Sequence, residues 1–321
     1  MRRRDFIAVL GSAIFAPGGA SAQQRPNKIP RIGIIDNGPI WEPFRQGFRD
    51  NGYIEGQTIS FEYRQANGDP ARLAAAAAEL ARLPVDVIAT YGTPPTQAAK
   101  AATSTIPIVM ISVGDPVRAG LVQSLAHPGG NITGNTILST DLAPKRLQLI
   151  REIIPTVKTV ALLWNPNNVS NAVTLEQLRV AASSQGLIFT AVEARSVADF
   201  EDAYATLARE RPHAVMLTSD PLHQSQVQRT IDFLIRNRLP GLFQTRNDAA
   251  AGGLISYGAI FTEMFRQGAF FVHKILTGTK PADIPVQTPQ RFELVVNLNT
   301  AKAIGVTIPE QVLSRADDVI E

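Results

Sequence analysis

The sequence contains no cysteine, which excludes disulfides, thiolate metal sites and cysteine nucleophiles. Histidine is scarce. The four present, His127, His213, His223 and His273, are too far apart in sequence to suggest a histidine-rich metal site. A G-x-G-x-x-G turn is missing after the first apolar run, where Ile35 leads into Asp36-Asn37-Gly38. Neither a Walker lysine motif nor a G-x-S-x-G nucleophile elbow occurs. A strong charge of one sign is missing too: 31 basic and 28 acidic residues give +3. What remains is ordinary globular composition, 45% hydrophobic with a mean hydropathy of +0.01. A chain of 321 residues usually outgrows one core, so two domains are expected.

The basic excess lies at the start. Arg2, Arg3 and Arg4 lead into an apolar stretch, 6–16, then Pro17-Gly18-Gly19 and Ala20-Ser21-Ala22. Basic start, short apolar stretch and small-residue end, in that order, predict a signal peptide over 1–22 that is cleaved near Ala22. The stretch is too short to span a bilayer, and Arg3-Arg4-Asp5-Phe6-Ile7 resembles a twin-arginine address. Removing it takes the net charge from +3 to +1, leaving no electrostatic footprint for nucleic acid. The expectation is an exported, periplasmic protein whose processed form does not span the membrane.

Beyond residue 28, short β-branched runs alternate with helical patterns. Strands are expected at 32–35, 59–63, 85–90, 108–111, 160–164, 187–192, 214–218 and 254–257. Helices are expected at 42–51, 70–83, 142–154, 169–185, 222–237 and 261–276. This alternation predicts an α/β protein of two doubly wound, parallel-sheet lobes with a ligand cleft between them. The expected division gives 29–137 and 254–284 to an N-terminal lobe, and 138–253 and 285–321 to a C-terminal lobe.

Four apolar runs stop at a polar residue followed by proline: Thr93-Pro94, Asp115-Pro116, Asn165-Pro166 and Asp220-Pro221. Thr, Asp and Asn favour the N-cap and proline the first helical position, so each pair predicts a strand running into a capped helix. Such junctions line the crevice at the carboxyl ends of parallel strands and attract anions. A single junction is explained by capping alone; four together point to a cleft. Trp41, Tyr91, Trp164 and Phe243 stand near strand ends and suit an apolar or aromatic ligand.

Several segments carry a family resemblance: Phe44-Arg45-Gln46-Gly47-Phe48, GTPPTQAAKAATSTIPIVM (92–110), VGDPVRAGLVQSLAHPGGNITG (113–134), AAAGGLISYG (249–258) and FELVVNLNTAKAIGVTIP (292–309). Together they resemble the tryptophan/tyrosine-type substrate-binding proteins of ABC transporters, of type I periplasmic binding-protein fold. The resemblance implies two lobes joined by three chain crossings, and an ABC permease as partner. It implies ligand contacts at Asp36, Asn37, Trp41, Thr93, Ser112, Asp115, Asn165, Asn168, Ser219, Asp220, Gln244 and Arg246. Two segments depart from the family pattern: the short loop 36–41 and Phe243-Gln244-Thr245-Arg246-Asn247-Asp248. Both sit where ligand identity is decided.

The reading is a solute-binding protein, not an enzyme, closing on a small polar-ended ligand such as an amino acid or aromatic compound. No metal, cofactor or catalytic residue is expected. An exported α/β hydrolase, or a ligand sensor without transport, is the alternative. For an amino acid, the carboxylate is expected near Thr93 and the ammonium near Asp115 or Asp220.

Overall fold

The computed structural model describes residues 28–36, 38–137 and 139–321. The signal segment expected over 1–22, and Asn37, lie outside the described residues. The first sheet holds β1 (Arg31–Ile35), β2 (Ser60–Arg64), β3 (Val87–Tyr91), β4 (Ile108–Val113) and β5 (Ile132–Thr136). They lie in the order β2-β1-β3-β4-β5, every pair parallel. Helices α1 (Glu42–Asp50), α2 (Pro70–Arg82) and α3 (Thr93–Ala102) connect them. Strands β3 and β4 are buried along their whole length, which is why they read as mostly apolar runs, with Thr90 and Ser112 their polar members.

The chain then enters α4 (Ser139–Ile153), β6 (Thr159–Trp164), α5 (Val169–Ser184), β7 (Ile188–Glu193), α6 (Asp199–Glu210) and β8 (Ala214–Leu217). Next come α7 (Pro221–Ser225), α8 (Val227–Arg236), β9 (Gly241–Phe243), α9 (Arg246–Ala250) and β10 (Ile255–Ala259). After α10 (Phe261–Leu276) come β11 (Phe292–Asn297), α11 (Leu298–Ile304), α12 (Glu310–Leu313) and β12 (Asp318–Ile320). The second sheet runs β12-β11-β10-β9-β8-β6-β7, with β10 and β11 antiparallel. Strands β6 to β10 repeat the order of the first sheet, so both halves share one winding scheme. The helix expected over 222–237 is two helices, broken at Gln226, whose ψ of 11° leaves the helical range.

Helix α10 packs on the first sheet although it comes after β10 of the second. Phe265, Ala269, Phe271 and Val272 join Trp41, Phe44 and Phe48 in one buried cluster. Trp41 meets Phe44 and Phe265 edge-on, each with ring centroids 5.2 Å apart. The chain then adds 284–287 to the edge of β5: Gln287 N–H donates to Gly134 O, and Thr136 N–H to Gln287 O. The chain therefore passes between the sheets three times, after Ile137, at 259–261 and at 288–291. Two boundaries differ from expectation. Residues 254–259 belong to the second sheet, because β10 pairs with β9 and β11, and 285–287 belong with the first.

Close approach between α1 and α10 depends on Gly47. A Cβ there would lie 2.7 Å from Arg266 O and 2.8 Å from the Ala269 Cβ. Gly47→Ala is expected to cost about 1–3 kcal/mol by forcing α10 outward, read as a lower urea midpoint.

Candidate ligand-binding cleft

Between the two sheets lies a cavity of about 560 Å³. The first lobe contributes Asp36, Ile40 and Trp41 after β1, Gln65 and Asn67 after β2, and Tyr91 at the end of β3. The second contributes Pro221, Gln224, Ser225 and Val227 from α7–α8, and Thr245, Asn247 and Ala251 around α9. Phe261, at the second crossing, completes the lining. In the first sheet the cleft opens between β1 and β3, where the strand order reverses and open α/β sheets bind ligands.

The lobes touch at points made by small residues. At Gly92, φ +78°, a Cβ would lie 2.9 Å from Pro221 Cγ; at Gly68, φ +72°, it would lie 2.6 Å from Leu222 N. A longer side chain at either position would hold the start of α7 away. Beside them Ser170 Oγ accepts from Asp115 N–H at 3.1 Å and shares a 2.9 Å hydrogen bond with Thr93 Oγ1. One hydroxyl of the second lobe thus holds two strand ends of the first.

Asp220 organises the second lobe's edge of the cleft. Its Oδ1 caps α7 by accepting from Leu222 N–H at 2.9 Å. The carboxyl also accepts from the side-chain amides of Asn168 at 2.8 Å, Asn165 at 3.2 Å and Asn171 at 3.3 Å. These asparagines flank the start of α5, so the carboxyl welds the β6–α5 and β8–α7 junctions together.

Next to this cavity, with Tyr91, Gln224, Val227 and Thr245 lining both, lies a chamber of about 20 Å³. Ser219, Asp220, His223, Gln244 and Asp248 also line it. His223 Nδ1 lies 3.3 Å from Thr218 Oγ1, while Nε2 is buried without a partner. Gln244 Nε2 donates to Leu217 O at 2.6 Å, which leaves Oε1 buried and unpaired. Burial lowers the His223 pKa, against the opposing pull of Asp220, so the ring is held neutral. Burial raises the Asp248 pKa, opposed by hydrogen bonds from Thr245 and Gln224. It also pushes the Tyr91 phenol well above its usual value, with Asp248 and Asp220 adding to the effect.

Of the expected site residues, Asp36 and Trp41 line the large cavity, and Ser219, Asp220 and Gln244 line the chamber. Asp36 Oδ1 accepts from Ala66 N–H and Asn67 N–H at 2.5 and 2.7 Å, fixing the loop after β2. The remaining ones sit in the framework. Thr93 does not cap α3; Gly92 holds that position and the Thr93 hydroxyl turns to Ser170. Ser112 is buried, with φ +55° and its N–H on Asn135 Oδ1. Asp115 opens a turn, not a helix, and accepts from Arg118 N–H. Asn165 likewise accepts from Asn167 N–H, and the helix starts only after Asn168, its true cap. Arg246 points outward to Asp318 at 2.5 Å with its side chain 50% exposed.

The expected ammonium partners are thus occupied, Asp115 by Arg118 and Asp220 by three asparagines. Residues outside the expected set include Gln65, Asn67, His223, Gln224, Asn247 and Asp248. The Thr245-x-x-Asp248 spacing is the one legible signal for them, and it forms a capping box. Among the described residues no group of three or more His, Cys, Asp or Glu is placed to hold a metal ion, and no helix is long and apolar enough to cross a membrane.

Two sheets of one strand order, crossed three times by the chain and closed over a cleft, define a type I periplasmic binding-protein architecture. The chain belongs to the ABC transporter substrate binding protein family, whose pattern matches residues 39–320. It is 27% identical over 286 residues to a tyrosine-binding protein of Clostridioides difficile, covering 87% of this chain and 82% of that one. Its fold superposes with a TM-score of 0.83 on an ABC domain from Streptococcus pneumonia in complex with L-Trp, at 24% identity, covering 91% of this chain and 100% of that one. Against the ligand-free, open structure of a substrate binding protein with adhesive properties from Clostridium difficile the score is 0.61. Identity there is 26%, covering 91% of this chain and 99% of that one.

This geometry makes two outcomes measurable. Asp220→Asn keeps a capping oxygen but sets an amide nitrogen against the asparagine donors, so unfolding free energy should fall by about 1–3 kcal/mol in urea titrations. His223 has a lower pKa folded than unfolded, so its contribution to stability is complete above the unfolded value. It is lost as pH falls from about 6.5 toward the folded pKa. Melting temperatures should therefore drop less between about pH 7 and 5 in His223→Gln than in the unsubstituted protein.

Proposed function

We propose that this protein is the extracytoplasmic solute-binding component of an ABC importer. It closes two lobes around a small ligand with an apolar, ring-bearing body and a polar end, and passes it to a membrane permease. The observation that carries this reading is the cavity walled by both lobes and bordered by contacts that exist only when they meet. Trp41, Tyr91 and Phe261 suit an aromatic body, and the tyrosine and tryptophan named for the relatives favour the same class. The higher score against the ligand-bound relative than against the open one supports a closed arrangement here. The basic, apolar and small-residue order of 1–22 supports export. A binding role is favoured over hydrolysis because His223 faces Thr218, and among the described residues no serine is bonded to it.

Closure should reduce the radius of gyration in solution scattering when aromatic solute is added. Ser170→Ala removes two contacts made between the lobes, worth about 1–3 kcal/mol together. Affinity should fall roughly 5- to 150-fold while the ligand-free melting temperature stays the same. Identical scattering with and without a bound ligand would overturn the closure mechanism.

A further inference from the structure

We propose that the cleft takes a protonated aromatic amine lacking a free carboxylate, its ammonium seated in the chamber between Tyr91, His223, Gln244 and Asp248. This rests on the solute-binding reading above and narrows the ligand class. The chamber presents acceptors. Gln244 is only 7% exposed and His223 3%, yet Gln244 Oε1 and His223 Nε2 have no partner. With the His223 Nδ1–H turned toward Thr218, Nε2 offers a lone pair. The carboxyl group of Asp248 completes the wall. A volume of about 20 Å³ admits one group the size of water or ammonium.

The rest of the cleft is poorly equipped for a carboxylate. Among the described residues, no lysine or arginine lines either cavity. Helix α3 opens Thr93-Pro94-Pro95 and α7 opens with Pro221. Both starts are therefore short of the N–H groups that elsewhere receive anions. A carboxylate entering the cleft would meet Asp36, Asp220 and Asp248 with no counter-charge. The apolar wall of Ile40, Trp41, Phe261 and Val227 receives the ring.

The test is calorimetric titration of purified protein with tryptamine and tyramine, beside tryptophan, tyrosine and indole-3-acetate. The amines should bind at least about 10-fold more tightly than the amino acids, and indole-3-acetate more weakly still. Asp248→Asn keeps both capping-box acceptors and should weaken amine binding roughly 10- to 100-fold. Val227→Arg, on the half-exposed wall shared by both cavities, should reverse the preference toward the amino acids. Amino acids binding as tightly as the amines would overturn the amine assignment and leave the solute receptor standing. Unchanged amine affinity in Asp248→Asn, with Val227→Arg showing no reversal, would overturn the placement in the chamber. Failure of every aromatic probe would instead count against the aromatic-solute reading itself.

Discussion

The arrangement of the cleft depends on one buried carboxyl group. Asp220 holds the amides of Asn165, Asn168 and Asn171 while it caps α7. A carboxyl buried without such donors would be costly; four donors make it a rigid junction instead. Its effects spread along the chain. Ser170 is set at the start of α5 to reach Thr93 and Asp115. Pro221 and Leu222 are aimed at Gly92 and Gly68. His223 is turned into the chamber. The contacts that close the lobes and the groups that face a ligand thus share one anchor.

The electrostatic character of the cleft has a similar economy. Many of its polar side chains hold loops: Asp36 fixes the turn after β2, Thr245 and Asp248 cap α9, and Gln244 bonds β8. The atoms left over, His223 Nε2 and Gln244 Oε1, are consequently well positioned, because each side chain is already tied at its other end. Rigid side chains lose little freedom on binding, which favours affinity from few contacts.

Much of the fold was legible in the sequence. The mostly apolar runs of β3 and β4 and the capped start of α2 at Asp69-Pro70 are strong local signals. The short strands β9 and β12, three residues each, carry too little pattern to be seen alone. Strand β5 is not seen in the sequence pattern because Gly134 and Asn135 interrupt it. The glycine is demanded by Met110 O, 1.9 Å from where a Cβ would sit. The site was only partly legible. X-Pro pairs mark strand ends well, but the chain beyond them can form a turn instead of a helix, as after Asp115 and Asn165. Thr93 and Ser170 stand 77 residues apart, and Arg246 finds Asp318 on the last strand. Nothing local announces such partners.

The placement of α10 constrains how the chain acquires its shape. The five strands of the first sheet end at Thr136, yet the helix that covers Trp41, Phe44 and Ile111 is not complete until residue 276. Until then that face of the sheet has only α1 and the turn before it as apolar cover. The earlier lobe therefore cannot mature ahead of the later one, as beads on a string would. Its completion waits for nearly the whole polypeptide, and the two halves are expected to gain stability as a single cooperative unit.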